Sequence, residues 1–195
     1  RMSLTTDFST HCWRRYSALA LLTALVGLFA GPLRSESIVA RSAQLELGED
    51  GYHLNADLDV ALTQTLEDAL VRGVPLYFVL ELDIWRERDW WFDKLVVSSK
   101  HTRRLSYNAL TRQYRLASGG LYQNFFQLNE ALRVLGRVRG APTVGPKLLR
   151  HERAHQAEVR MSLDASQLPS LFQLDALASP DWRLQVVAYT WSFTP

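Results

Sequence analysis

The pattern with the most chemistry in it is His151-Glu152-Arg153-Ala154-His155. On a helix, histidines at i and i+4 share a face and can hold zinc, while the glutamate takes a proton from the bound water. Here the five residues stand between a Gly/Pro-rich stretch and an alternating segment, which leaves no length for such a helix. Arg153 would set a cation beside the metal, and no histidine follows, so Asp164 or Asp175 would have to be the third ligand. The expectation is a solvated loop without metal. His53 and His101 stand among polar strand residues with no nucleophile paired to either. Ser98, Ser99 and Ser118 lack the G-x-S-x-G turn that presents a nucleophilic serine. Asp50, Asp57 and Asp59 lack the spacing and the glycine of a calcium loop. No P-loop or dinucleotide fingerprint occurs, so no cofactor is implied.

Two further groups remain. Glu81, Asp83, Glu87, Asp89 and Asp93 crowd together, interleaved with Arg86, Arg88 and Lys94. A hydrolase or carbohydrate-active enzyme would need two carboxylates such as Glu81, Asp83 or Asp93 in one cleft, about 5–10 Å apart. The aromatic group Trp85, Trp90, Trp91 and Phe92 surrounds a strand turn. Adjacent residues of a strand point to opposite faces, so one of Trp90 and Trp91 fills the core while the other either caps its end or stands in solvent. Exposed tryptophan beside arginine is an interface composition.

The elements that must position these residues are mostly strands. Leu45 and Leu47 lead to a Gly48–Gly51 turn, after which Tyr52, Leu54, Ala56 and Leu58 alternate with polar residues. Asp59 is placed to N-cap a helix carrying Leu62, Leu66, Ala69 and Leu70, closed by Gly73. Val74-Pro75 forces an extended entry into the row Leu76, Phe78, Leu80, Leu82 and Ile84. Trp90, Trp91 and Phe92 begin a return strand through Leu95 and Val97. A further strand centres on Leu110, Arg112, Tyr114 and Leu116 and ends at Ser118-Gly119-Gly120, a hairpin signal. Leu128, Ala131, Leu132 and Leu135 mark a second helix, and residues 136–150 read as a long loop. Ala157, Val159, Met161 and Leu163 alternate as a half-exposed strand, and the last strand runs from Trp182 towards Trp191. The pattern predicts a mainly β (α+β) chain: an antiparallel β-sandwich of about eight strands with two short helices, forming one domain over residues 38–195.

Charge and composition narrow the function. The 195 residues carry 22 basic and 20 acidic side chains, 47% hydrophobic residues and one cysteine. That excludes disorder, a disulfide framework and a thiolate zinc site. The charges segregate. Residues 38–93 hold 4 basic and 12 acidic groups, whereas residues 94–160 hold 13 basic and 3 acidic. Neighbouring strands are expected to neutralise one another across the sheet. Residues 38–195 have no net charge, which argues against nucleic acid as a partner. At the N-terminus, Arg14 and Arg15 precede the uncharged run Ala18–Ala30, and Gly31-Pro32 ends it. Thirteen apolar residues suit a signal sequence better than a full span, although residues 18–30 kept as an anchor would touch the membrane. Residues 1–37 thus read as a signal peptide or membrane anchor. Either way the rest of the chain is expected to lie across the membrane.

The segments GVPLYFVLELDI (Gly73–Ile84), the WWFD run, LSYNALTRQYRL (Leu105–Leu116), LNEAL (Leu128–Leu132) and MSLDASQLPSLFQLDAL (Met161–Leu177) occur in one order. With them the chain resembles a family of exported Gram-negative proteins catalogued as domain of unknown function 4390, some labelled proline-rich signal peptide protein. Leu168-Pro169-Ser170-Leu171-Phe172 lacks the second proline common in that family. The resemblance implies a periplasmic or inner-membrane-anchored location, no assigned activity, and an envelope or membrane partner, with a sensor kinase as one such partner. From the residues, Tyr107, Leu110, Tyr114 and Leu116 read as core. Arg103, Arg104, Arg112 and Arg115 read as an exposed basic face which, with Trp90 and Trp91, would form an interaction surface. The expectation is a binding module rather than an enzyme.

Overall fold

Gly48-Glu49-Asp50-Gly51 reverses the chain, with Gly51 at φ 132, and joins β1 (Ser37–Gly48) to β2 (Gly51–Val60) as an antiparallel hairpin. The structure, a computed structural model, describes residues 37–88, 92–145, 149 and 153–194. Tyr52, Leu54, Ala56 and Leu58 are buried, as their alternation requires. Helix α1 (Gln64–Val71) is capped by Thr63 and not by Asp59. The Thr63 hydroxyl accepts from the Leu66 amide at 3.1 Å and donates to the Asp181 carbonyl at 2.6 Å, while Asp59 pairs with Arg41. Gly73 (φ 92) ends α1: its amide and that of Val74 bond back to Leu70 and Ala69, a Schellman closure that needs a glycine.

β3 (Leu76–Arg86) is the centre of the larger sheet. Leu76, Phe78, Leu80, Leu82 and Ile84 are at most 1% exposed, and burial of each stabilises by about 2 kcal/mol. β3 pairs antiparallel with β4 (Lys94–Asn108) and with β8 (His155–Leu163). Phe92 precedes β4 and is 95% exposed, so it does not begin the return strand. β5 (Gln113–Ser118) starts later than its sequence suggests. Leu110 and Arg112 belong to the preceding turn, where Leu110 is 96% exposed and Arg112 takes φ 53. Gly119 (φ 58) turns β5 into β6 (Leu121–Phe125), which feeds α2 (Leu128–Gly136).

The expected loop at 136–150 is in part β7 (Arg137–Val144), paired to β2 through two register shifts. After β8 comes α3 (Ser170–Ala178), between short 3-10 turns at Ala165–Gln167 and Pro180–Trp182. The single expected last strand is two. β9 (Gln185–Val187) lies parallel to β1, and β10 (Tyr189–Phe193) antiparallel to β8. The described residues therefore form ten strands and three α-helices rather than eight and two. Strand order is β7-β2-β1-β9 in one sheet and β10-β8-β3-β4-β5-β6 in the other. One hydrophobic core joins residues of both sheets, and α2 packs on β2 and reaches β5 and β6. Among the described residues no helix is long and apolar enough to cross a membrane; residues 1–36 lie outside them.

Candidate functional site

The register assigns a face to every basic residue of β4 and β5. Phe78 stands opposite Arg103, and Leu76 opposite Leu105, so Arg103 lies on the inner face of the sheet. It is not part of an exposed surface. Its Nη1 donates to the carbonyls of Val134 (3.3 Å), Leu135 (2.7 Å) and Arg137 (3.1 Å), where α2 gives way to β7; the Val134 carbonyl also accepts from the Arg137 amide. Desolvation lowers the pKa of this guanidinium, while the negative end of the helix favours its charge. Further along the same face Tyr107 and Tyr114 pair half-buried across β4 and β5, their ring centroids 4.9 Å apart, and Leu116 is core.

The alternate residues point outward. One row runs Tyr77–Arg104–Ala117–Tyr122 across β3, β4, β5 and β6, and the next runs Ser106–Arg115–Asn124. Arg104 and Arg115 are thus diagonal neighbours, about 7–8 Å apart along this face. Arg115 donates from Nε to Asn124 Oδ1 at 3.2 Å and lies 4.8 Å from the centre of the Tyr122 ring, a cation–π contact. Among the described residues no acid pairs with Arg104, Arg112 or Arg115. The acids of the same face are already engaged further along it. Glu81 binds Lys100 at 2.5 Å and Arg160 at 2.7 Å, while Arg160 also reaches Glu158 and Asp83. On the other sheet Asp57 pairs with Arg139 and Arg137. The segregated charges of the sequence do meet across strands, and a basic excess is left on β4 and β5.

The remaining sequence candidates separate. Trp90 and Trp91 lie outside the described residues, as do His151 and Glu152. Arg153 and Ala154 are not helical, and His155 opens β8 completely buried, so the expectation of a solvated loop fails at that residue. Its Nδ1 donates to the Arg153 carbonyl at 2.8 Å, and its Nε2 is buried without a partner. His101, expected to stand apart from any nucleophile, has Nε2 3.2 Å from Ser99 Oγ on the inner face of β4. Among the described residues no three His, Cys, Asp or Glu side chains group to hold a metal. The hydrogen bond from Lys100, then that from Arg160, holds the Glu81 carboxyl below the ordinary range, the reverse of what a general acid needs. Tyr77 and Tyr122 were missed in the sequence. Their signal is the four-strand register, which one strand's alternation does not contain.

Fold and face define a mainly β chain of two sheets with a basic, tyrosine-flanked strand surface turned to solvent. The chain belongs to the family described as Domain of unknown function (DUF4390), whose model matches residues 35–192. No curated protein and no solved structure matches it.

Proposed function

We propose that this protein is a non-enzymatic interaction module of the bacterial envelope, which takes an acidic protein partner on the outer face of β4, β5 and β6. One observation carries the reading: Arg104 and Arg115 stand between Tyr77 and Tyr122 on a solvent-facing sheet, with no acid paired to them among the described residues. Arginine and tyrosine supply much of the energy at protein interfaces, and uncompensated cations on a flat face attract an opposite charge at a distance. Arg112 and Leu110 at the adjacent hairpin tip extend the same surface. The two sheets, packed as a sandwich, serve as its rigid support. Export through residues 18–30 would deliver this surface to the periplasm, where a membrane protein such as a sensor kinase is the class of partner the family resemblance implies. The carboxylate-hydrolase reading loses support because Glu81 and Arg160 are engaged in one ion-pair network.

The test is photo-crosslinking in cells from an unnatural residue at Tyr122, repeated with Arg104→Glu and Arg115→Glu. A crosslinked protein that disappears in both variants supports the reading, and one captured equally by all three overturns it. A reporter active only outside the cytoplasm, fused after Pro195, should be active; an inactive fusion of intact protein would refute the location.

A further inference from the structure

Three of the four sheet edges are blunted against pairing. β7 carries Pro142 and two register shifts, β9 has three residues, and β10 lies against β1 of the other sheet. The fourth edge, β6, has no strand beyond it among the described residues. It pairs with β5 on one side only, contains no bulge, and lies within Gly119–Gln127, which has neither charge nor proline. Leu121, Tyr122 and Phe126 are 81%, 63% and 76% exposed. Such an edge offers unpaired amides and carbonyls to an incoming strand.

We infer that β6 receives an extended acidic segment of the partner as an added strand of the larger sheet. This deepens the proposed function and rests on it. The charge geometry selects the occupant. The Arg115 guanidinium already leans over β6, against Tyr122 and Asn124, and an added strand would lie about 4.8 Å beyond. Residues of that strand opposite Tyr122 and Asn124 would share the outer face, so carboxylates there meet Arg115. The residues between them face the side of Leu121 and Phe125, where apolar groups fit. The recognised pattern is acidic at alternate positions and apolar between, with backbone hydrogen bonds supplying affinity and the alternation supplying specificity. A second copy of this chain fits less well. Pairing β6 with itself about a two-fold axis brings two Arg115 guanidiniums towards each other and supplies no acid.

The probe is a capped ten-residue peptide alternating glutamate and valine, with a lysine-for-glutamate counterpart, titrated against the full chain. The glutamate peptide should bind, the lysine peptide should not, and Arg115→Glu should weaken binding at least tenfold. Hydrogen exchange should slow at the amides of residues 121–125 that point away from β5. No binding of the glutamate peptide at millimolar concentration overturns the inference, as does equal binding of the lysine peptide. Arg115-dependent binding without protection of β6 overturns strand addition and leaves the basic-face reading intact. Protection of β6 that grows with protein concentration alone replaces the acidic strand with a second copy.

Discussion

Gly136 closes α2 where the helix lies nearest to β2. A Cβ placed there would stand 1.9 Å from the Leu58 carbonyl oxygen and 3.0 Å from its carbon. Gly136→Ala therefore forces the helix end or the strand back by about 1 Å before the contact becomes tolerable. Overpacking costs about 1–3 kcal/mol, and an obstacle made of backbone instead of a flexible side chain puts this site near 3. Alanine recovers about 1 kcal/mol of helix preference over glycine. The net is about 2 kcal/mol, or roughly 4–8 °C in Tm for a chain of this size. Displacement of the helix end would also stretch the Arg103 hydrogen bonds to Val134, Leu135 and Arg137, so the loss should not be smaller. Urea unfolding at pH 7 reads the difference. Gly120→Ala is the control, because that glycine faces open space and should change stability by no more than about 0.5 kcal/mol. A Gly136→Ala midpoint indistinguishable from that of Gly120→Ala would refute the close approach.

Glu81→Gln should lower stability at neutral pH by about 1 kcal/mol, since Lys100 and Arg160 lose a shared carboxylate. A carboxyl held below its ordinary 4.5 contributes stability above that value and loses it as pH falls through the folded-state pKa. The difference between Glu81→Gln and wild type should thus shrink in urea titrations repeated towards pH 3; a difference independent of pH would contradict the ion pairs. Arg112→Gly should stabilise by about 1 kcal/mol, because φ 53 strains any residue with a Cβ, and a lower Tm would show the turn to be otherwise built. His155→Ala should cost about 2–3 kcal/mol through its cavity, while His155→Leu, which fills the space and removes the unpartnered Nε2, should cost under about 1. Equal losses in thermal melts would mean that the imidazole's polarity is what matters.

The row Leu76–Ile84 was legible because one face of β3 is entirely buried, and burial is what writes alternation into a sequence. The hairpin at Gly48–Gly51 and the Gly73 helix stop were legible because positive φ selects glycine. β4 misleads for a physical reason. Ser99, His101 and Arg103 occupy its inner face, where polar groups find partners: Ser99 and His101 each other, Arg103 the end of α2. Alternation alone therefore turns Arg103 the wrong way. β7 was hidden because Pro142 and Gly140 interrupt an edge strand held by backbone pairing to β2 and by Arg139 on Asp57. Of the basic face, Arg104 and Arg115 were readable from composition. Which tyrosines flank them depends on strand pairing, and Asp59 lost its capping role to Thr63 through a contact with Asp181 far along the chain.

The parallel pairing of β1 with β9 aligns Ser37 with Gln185. Roughly 150 intervening residues make that closure cost about 4 kcal/mol of chain entropy before any contact repays it. The smaller sheet is therefore not completed until β9 has been synthesised, and β10, which pairs with β8, follows it. Non-local pairings of this kind make folding slow, on the scale of milliseconds to seconds. Among the described residues, β9 and β10 are thus the last strands to become available, and they finish in both sheets what the earlier local hairpins begin.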